Sequence, residues 1–192
     1  MDKRTVIITQ AIELFRDKGL HFTMQDISDE LHIAKKTIYT MFQDKEDLLC
    51  AMLDEGFGEI HEAKKEIMEK EDMGLIEKIK AVMIAMPSQY QVLDFRKLNE
   101  LEDKYPFAYE RLKKHLEENW EPVFVLLDEA EKQNLIRHVP HTLIREIFTA
   151  SIESFLSTDI LEKEGISYYP ALNELMDILM YGIRKDSYEE NQ

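Results

Sequence analysis

Residues 23–42, TMQDISDELHIAKKTIYTMF, begin with the signal for a short helix. Thr23 followed three residues later by Asp26 is a capping-box pattern, which satisfies free N–H groups at the start of a helix. Ile27 and Leu31 lie four residues apart, so they share one face of that helix. The stretch therefore predicts a short amphipathic helix that buries one side.

A second short helix is expected over residues 34–42, after a tight turn at residues 32–33. Its inner face is predicted from apolar side chains that recur every four residues, namely Ala34, Ile38 and Phe42. Its outer face is left to polar and basic side chains, which are Lys35, Lys36, Tyr39 and Thr40. These two faces are typical of the recognition helix of a helix-turn-helix, which enters the major groove of DNA.

Composition narrows the class of protein. The chain has 192 residues, of which 44% are hydrophobic and 33% charged, and its 6 Gly and 5 Pro are few enough to favour helices. Its 1 Cys excludes an intrachain disulfide and suggests a reducing compartment. No apolar run reaches the ~18 residues of a membrane span, and no signal-peptide pattern opens the chain, so we expect a cytoplasmic protein without a membrane partner.

The charge of the chain is unevenly distributed. A net charge of -15 by itself opposes DNA binding, because contacts to phosphates need Lys and Arg. Residues 1–52 hold 7 Lys and Arg against 9 Asp and Glu, whereas residues 53–192 hold 17 against 30. We therefore expect a small basic patch near the second helix to contact DNA, with a modest, salt-dependent affinity unless two copies bind together.

Helical spacing of apolar residues continues through the rest of the chain, and no segment shows convincing strand alternation, so an all-α fold is predicted. Gly19 suits the residue that ends the first helix. Pro122 is expected to kink a long helix near residues 118–120. The helices expected outside the opening stretch span residues 3–18, 44–70, 72–90, 92–104, 106–133, 140–159 and 169–185.

The first fifty residues resemble the N-terminal domain of the TetR family of bacterial transcriptional regulators. The matching positions are Ala11, Leu14, Phe15, Gly19, Thr23, Asp26, Ile27, Leu31, Ile33, Thr37, Ile38, Tyr39, Phe42, Lys45, Glu46, Leu48 and Leu49. The resemblance implies a three-helix DNA-binding domain over residues 1–47. A long helix would join it to a helical regulatory, ligand-binding and dimerisation domain over residues 48–192, with the last two helices at the dimer interface.

The resemblance also implies a homodimer that binds a pseudo-palindromic double-stranded DNA operator, usually as a repressor. A small-molecule effector in the C-terminal domain would release it by respacing the recognition helices, whose half-sites lie about 34–36 Å apart or a multiple of this. The residues that correspond to the family's DNA contacts are Thr23, Gln25, Lys35, Lys36, Thr37, Tyr39, Thr40 and Lys45.

These residues are expected to have different roles at the DNA. Thr23, Gln25, Tyr39 and Lys45 would contact backbone phosphates, which set the register but carry no sequence information. Lys35, Lys36 and Thr37 would lie at base edges or phosphates, and Thr40 would face the groove.

Three positions depart from the family pattern. Ala34 stands where Ser or Thr usually caps the recognition helix, and Lys36 replaces a usual Gly, Pro or Ala. Met41 stands where His or Tyr is frequent. These changes affect the expected operator sequence more than the fold.

Large apolar side chains in the C-terminal segment are candidates for a ligand pocket, although an ordinary hydrophobic core explains them equally well. They are Met83, Met86, Tyr109, Trp120, Phe124 and Phe148. An alternative is a DNA-binding factor that has no small-molecule effector and is regulated by a protein partner.

No catalytic carboxylate pair or triad can be identified, so an enzyme and a cofactor are not expected. His138 and His141 have Pro140 between them, and no metal site is predicted there.

Overall fold

The computed structural model describes residues 2–91, 93, 95–98 and 100–184. Within these residues the secondary structure is helical, with one isolated β-bridge between Ile136 and Arg184 and no named strand, which confirms the all-α prediction. Two short 3-10 helices span Gly19–His21 and Phe95–Leu98. In chain order the α-helices are α1 (Lys3–Lys18), α2 (Met24–Glu30), α3 (Lys35–Tyr39), α4 (Lys45–Met68), α5 (Leu75–Met83), α6 (Ser88–Gln91), α7 (Leu101–Lys104), α8 (Pro106–Glu117), α9 (Glu121–Lys132), α10 (His141–Ser157), α11 (Ile160–Lys163) and α12 (Tyr168–Ile183).

The end of α1 and the starts of α2 and α4 lie at the residues that the sequence predicts. Gly19 follows α1 with a positive φ of 58°. At the start of α2 the Thr23 hydroxyl accepts from the Asp26 N–H (3.1 Å), and the Asp26 carboxylate accepts from the Thr23 N–H (2.7 Å). Asp44 caps α4 by accepting from the Asp47 N–H at 2.9 Å. The starts of α2 and α4 could be predicted from local sequence, because the side chains at these positions bond N–H groups that the start of a helix leaves free.

Helix α3 is shorter than predicted, since it spans Lys35–Tyr39 rather than residues 34–42. Ala34 occupies the N-cap position and has no side chain that could accept a hydrogen bond. At the other end the Thr40 hydroxyl donates to the Thr37 carbonyl (2.6 Å), and the chain turns. Phe42 is still buried at 1% exposure, so the apolar inner face was predicted correctly although the helix length was not.

The long α4 links the N-terminal unit to the remaining helices. It packs against α1 on one side and against α5 and α8 on the other. One continuous buried cluster includes side chains from both sides of residue 47, such as Ile38 and Leu112. The division of the chain into domains at residue 47 stays a prediction, because α4 runs across that position.

The helices predicted over residues 72–90 and 92–104 are wrong in length. Helix α5 stops at Met83, because Pro87 has no N–H to donate to the Met83 carbonyl four residues earlier. The second segment holds a 3-10 helix followed by the short α7, and its predicted start, Val92, lies outside the described residues. Apolar residues three apart, Phe95 and Leu98, suit a 3-10 turn as well as an α-helix.

The single kinked helix predicted over residues 106–133 is also wrong, because the structure has two helices, α8 and α9. Pro122 cannot donate to the carbonyl of Glu118, and Asn119 takes a positive φ of 60°. The break is therefore complete, and Pro122 lies in the first turn of the new helix, where its missing N–H has no cost. The Trp120 indole N–H donates to the Leu116 carbonyl (2.9 Å) across the break.

The last two predicted helices correspond to α10 and α12, and the predicted end at residue 185 lies outside the described residues. Helix α12 packs against α5 and α10, and α10 also contacts α8. Among the described residues, none of the helices combines the length and the apolar character required to cross a lipid bilayer.

Candidate functional site

The turn between α2 and α3 is held by a buried serine. Ser28 is 8% exposed, and its hydroxyl donates to the carbonyl of Ile33 at 2.7 Å across the turn. His32 in the turn has a positive φ of 52°. Sequence analysis missed Ser28, although a Ser within one helical turn of the apolar Ile27 and Leu31 was a usable signal. This hydrogen bond fixes the angle at which α3 leaves α2.

The outer face of α3 is free of the protein core. Ile38 is fully buried and anchors the inner face. Tyr39 is 46% exposed, and the ammonium of Lys35 lies 5.9 Å from the centre of its ring. Lys36 and Thr40 are also exposed, and Thr37 is half-buried. The helix therefore presents a basic and hydroxyl-bearing face that a DNA groove could accept.

Two predicted DNA contacts on α2 also serve as local hydrogen-bonding groups. Thr23 is exposed but belongs to the capping box with Asp26. The side-chain amide of Gln25 donates to the Asp29 carboxylate at 2.8 Å, and Gln25 is exposed.

Lys45 has partners inside the protein. Its ammonium donates to the carbonyl of Leu20 at 2.5 Å. It also lies 4.5 Å from the ring centre of Phe22 and 5.1 Å from that of Tyr105. A contact between Lys45 and a DNA phosphate would therefore have to replace these interactions.

Arg4 is a basic residue beside the recognition helix that sequence analysis did not identify. It is exposed, and its guanidinium carbon lies 5.0 Å from the ring centre of Phe42, immediately after α3. The sequence shows only that Arg4 is a basic residue in the first turn of α1. Its position close to α3 results from the way α1 packs against the other N-terminal helices.

A cavity of about 450 Å³ lies between the N-terminal unit and the C-terminal helices. Ile12 and Phe15 of α1 line it on one side, and Leu172 of α12 lines it on the other. Most of its lining is aliphatic or aromatic. Its size is within the range of ~300–1,000 Å³ that is typical of small-molecule sites.

Four of the six residues predicted for a ligand pocket line this cavity, namely Met83, Met86, Trp120 and Phe148. Tyr109 lines a separate small crevice instead. The ring of Phe124 stacks on Trp120 with centroids 6.0 Å apart and on His141 at 4.6 Å, and Phe124 is not among the cavity residues. The periodicity of α8 and α9 identified apolar faces but not which of them border empty space.

A polar cluster on α4 and α8 borders the cavity. Arg111 donates two hydrogen bonds to the Asp54 carboxylate (2.6 and 2.8 Å), and a ring nitrogen of His115 lies 2.8 Å from the same group. The His115 ring stacks on Phe57 at 4.6 Å. Burial opposes ionisation of Asp54, but the hydrogen bonds from Arg111 and His115 outweigh it and lower the pKa of the carboxyl.

Two contacts connect the N-terminal unit directly to the C-terminal helices. The ammonium of Lys97 donates to the carbonyl of Arg16 (2.6 Å) at the end of α1. At the start of α8, the carboxylate of Glu46 accepts from the N–H of Phe107 at 2.7 Å. Movement of α8 or of the segment around Lys97 would therefore act on α1 and α4.

The two histidines near Pro140 bind different carboxylates. His138 lies 3.0 Å from Glu131, and His141 lies 3.1 Å from Asp128. Across the described part of the chain, no group of three or more His, Cys, Asp or Glu side chains is arranged to hold a metal ion.

The comparisons with known proteins agree with this architecture. Residues 7–52 match the family described as bacterial regulatory proteins, tetR family. The uncharacterized HTH-type transcriptional regulator YvaF of Bacillus subtilis (strain 168) is 29% identical over 186 residues, which are 97% of this chain and 97% of YvaF.

Solved structures share the whole fold. A regulator of the TetR/AcrR family from Thermobifida fusca YX-ER1 is 26% identical, with a TM-score of 0.65 that covers 96% of this chain and 100% of that one. The transcriptional regulator FadR from Bacillus subtilis, solved in complex with stearoyl-CoA, is 21% identical, with a TM-score of 0.66 over 95% and 100% of the two chains.

The helix-turn-helix, the long α4 and the helical C-terminal part together define a DNA-binding transcriptional regulator. Over residues 7–52 the chain matches the tetR family of bacterial regulatory proteins, and regulators similar to it align along almost the entire chain.

Proposed function

We propose that the protein is a homodimeric repressor that leaves a pseudo-palindromic operator when a small-molecule effector enters the cavity. The observation that carries the proposal is that Ile12 and Phe15, from the DNA-binding unit, line the same cavity as Trp120 and Phe148. A ligand that fills the cavity would therefore press on α1 itself. In a dimer, a small rotation of α1 changes the spacing of the two recognition helices, which must match half-sites about one helical turn apart.

The outer face of α3 is the proposed contact with the operator. Lys35, Lys36 and Thr37 would lie at base edges or phosphates, Tyr39 would place its hydroxyl on a phosphate, and Thr40 would face the groove. The remaining proposed phosphate contacts are Thr23 and Gln25 at the start of α2, and Lys45. Of these, Lys45 has the strongest competing interactions, because its ammonium already has a carbonyl partner.

An apolar face on the last helices supports the proposed homodimer. Four large hydrophobic side chains of α10 and α12 are exposed, at 50% for Leu143, 39% for Ile147, 63% for Ile178 and 78% for Tyr181. Each pair lies three or four residues apart, so each helix presents one outward stripe. A second copy of the chain would cover both stripes by a two-fold symmetric contact.

Operator binding tests the proposal directly. Purified protein is titrated onto a labelled DNA duplex that flanks its own gene, at several salt concentrations, and the gel shift is measured. We expect wild-type binding that weakens steeply with salt, whereas Tyr39→Phe binds every DNA sequence more weakly with an unchanged sequence preference. A protein that does not bind this DNA in a salt-dependent way, or a Tyr39→Phe variant with an altered preference, contradicts the assignment.

The alternative of a regulator controlled by a protein partner has less support. A regulator that is controlled only by a protein partner does not require a cavity of about 450 Å³ with largely apolar walls. A partner would instead require an exposed docking face in addition to the one proposed for dimerisation.

A further inference from the structure

The charges around the cavity are paired, with one exception. The charged side chains that line it among the described residues are Asp54, Glu62, Lys64 and Glu118. Each of the three carboxylates has a basic neighbour, at 2.6 Å for Asp54 and Arg111, 2.6 Å for Glu62 and Lys65, and 3.7 Å for Glu118 and Lys114. Lys64 has neither an ion pair nor a hydrogen bond within the described part of the chain.

Lys64 is not an ordinary surface lysine. It is half-buried on α4, and burial lowers the pKa of its ammonium below the ordinary value. A lysine that extends its ammonium into water along an apolar surface would not lose hydration in this way. An unpaired ammonium that is partly removed from water is unfavourable, and an anion beside it would supply the missing partner.

A second polar group at the cavity also has no partner. The hydroxyl of Thr149 is buried, and no hydrogen-bond partner for it exists among the described residues. Thr149 is one of the lining residues, next to Phe148. Buried polar groups in proteins are normally hydrogen-bonded, but this oxygen has almost no accessible surface, so a ligand in the cavity could contact it only if neighbouring side chains moved.

We infer that the cavity binds an amphipathic anion, an apolar chain that ends in a carboxylate or comparable anionic head group, which pairs with the ammonium of Lys64. The apolar chain would contact the aromatic walls. This inference rests on the proposed effector function and gives the chemical class of the effector.

Three ligands with the same chain and different head groups test the inference. Trp120 is the single tryptophan of the chain and lines the cavity, so its fluorescence reports whether a ligand occupies the cavity. The full-length protein is titrated with decanoate, decan-1-ol and decylamine. We expect decanoate to bind at least about tenfold more tightly than decan-1-ol, because its carboxylate forms a charge-assisted hydrogen bond with the unpaired ammonium of Lys64. Decylamine should bind most weakly, because its charge has the same sign as that of Lys64.

Two neighbouring lysines provide a matched pair of variants. Lys64→Met keeps the length of the side chain and removes the charge, and it should reduce the affinity for decanoate to that for decan-1-ol. Lys65→Met is the control for the loss of one positive charge on the same helix, because Lys65 is exposed and is not among the residues that line the cavity.

The outcomes separate the two proposals. Equal affinities for decanoate and decan-1-ol in the wild type, or equal effects of Lys64→Met and Lys65→Met, overturn the assignment of Lys64 but leave an apolar effector cavity. If none of the three ligands changes the Trp120 fluorescence, both the inference and the effector cavity are wrong. Binding of decanoate through Lys64 without release of the operator supports the inference and contradicts the proposed repressor mechanism.

A last titration identifies the source of the anionic group. A free acid and a coenzyme A thioester both combine an apolar chain with negative charge. Tighter binding of decanoate than of decanoyl-CoA identifies a free carboxylate as the partner of Lys64, and the reverse order identifies the phosphates of the conjugate. Both orders support an amphipathic anion, whereas loss of the preference for both anions over decan-1-ol overturns it.

Discussion

Asp26 illustrates how much of the DNA-binding unit depends on single side chains. Its carboxylate accepts from the Thr23 N–H and hydroxyl, and it lies 2.7 Å from the ammonium of Lys18. The hydrogen bonds from Lys18 and Thr23 lower the pKa of Asp26 from its ordinary value of 3.8 to about 2. The start of α2 is therefore held by a group that is ionised in the folded protein even in moderately acidic solution.

Replacement of this carboxylate should destabilise the protein in a pH-dependent way. We expect Asp26→Asn to lower the free energy of unfolding by about 1 kcal/mol at pH 7, which is the usual cost of a lost cap. Because the folded pKa is depressed, the contribution of Asp26 is complete above about pH 5 and is lost as the pH falls towards 2. Urea unfolding at a series of pH values measures the difference between variant and wild type.

Asp29→Asn is the control for this prediction, because Asp29 is exposed on the same helix and accepts only from Gln25. Its effect should be small and should vary little with pH. A difference between Asp26→Asn and wild type that stays constant down to pH 3 would show that the ionised carboxylate is not what stabilises α2.

At the scale of helices, replacement of glycine by alanine should change the free energy of unfolding in opposite directions at two positions. Gly19 ends α1 with φ 58°, and an added Cβ would lie 2.9 Å from the Cβ of Lys97. Gly58 lies inside α4, where an added Cβ meets nothing within 4 Å. We expect Gly19→Ala to lower the free energy of unfolding by about 1–3 kcal/mol, and Gly58→Ala to raise it by about 0.5–1 kcal/mol.

Thermal unfolding followed by circular dichroism measures both variants, and each serves as the control for the other. Opposite shifts in Tm are expected. Shifts of the same sign would mean that helix propensity and backbone strain do not govern these two positions.

Helices α1, α2 and α4 could be predicted because the signals at their ends are local. Gly19, the Thr23 and Asp26 pair and Asp44 each act within a few residues, and the structure uses all of them. The C-terminal helices were harder to predict. Apolar periodicity runs through residues 72–90 without a gap, but Pro87 removes a backbone donor at one point, and the sequence does not tell whether a helix bends or stops there.

Residues of the candidate site could be predicted from the sequence only where the prediction required no more than an exposed side chain on one face of a helix. Tyr39 was expected on the outer face of α3, and it is exposed. Lys45 was expected to reach phosphate, but Leu20 and two aromatic rings come close to its ammonium through tertiary packing. Lys64 was passed over as part of a charged helix, because its burial beside the cavity depends on tertiary packing.

For the whole molecule, the outer stripes of α10 and α12 are the main unexplained surface of the single chain. Met176 and Met180 of α12 face the core, while Ile178 and Tyr181 face outward, so the helix is apolar on both sides. A helix that is apolar all round is normally buried. This is the physical reason to expect a second copy of the chain at this face.

A charge in that face should separate the proposed protomers. We expect Ile178→Glu to raise the dimer dissociation constant by more than about a hundredfold, because a carboxylate would be buried without a partner. Light scattering after size exclusion at micromolar concentration measures the mass, and operator affinity should fall with it, because a monomer reaches only one half-site. Phe107→Glu is the control, since Phe107 is 76% exposed on α8. A dimeric Ile178→Glu variant places the interface elsewhere.

The two faces of α3 have a consequence for how this regulator can evolve. The helix is held by Ile38, Phe42 and the hydroxyl of Ser28, all of which lie on the protein side. Lys35 and Lys36 do not take part in that packing, so mutations there are nearly neutral for folding. After gene duplication, one copy could therefore acquire a new set of target genes through a few substitutions on one helical face, without first acquiring additional stability.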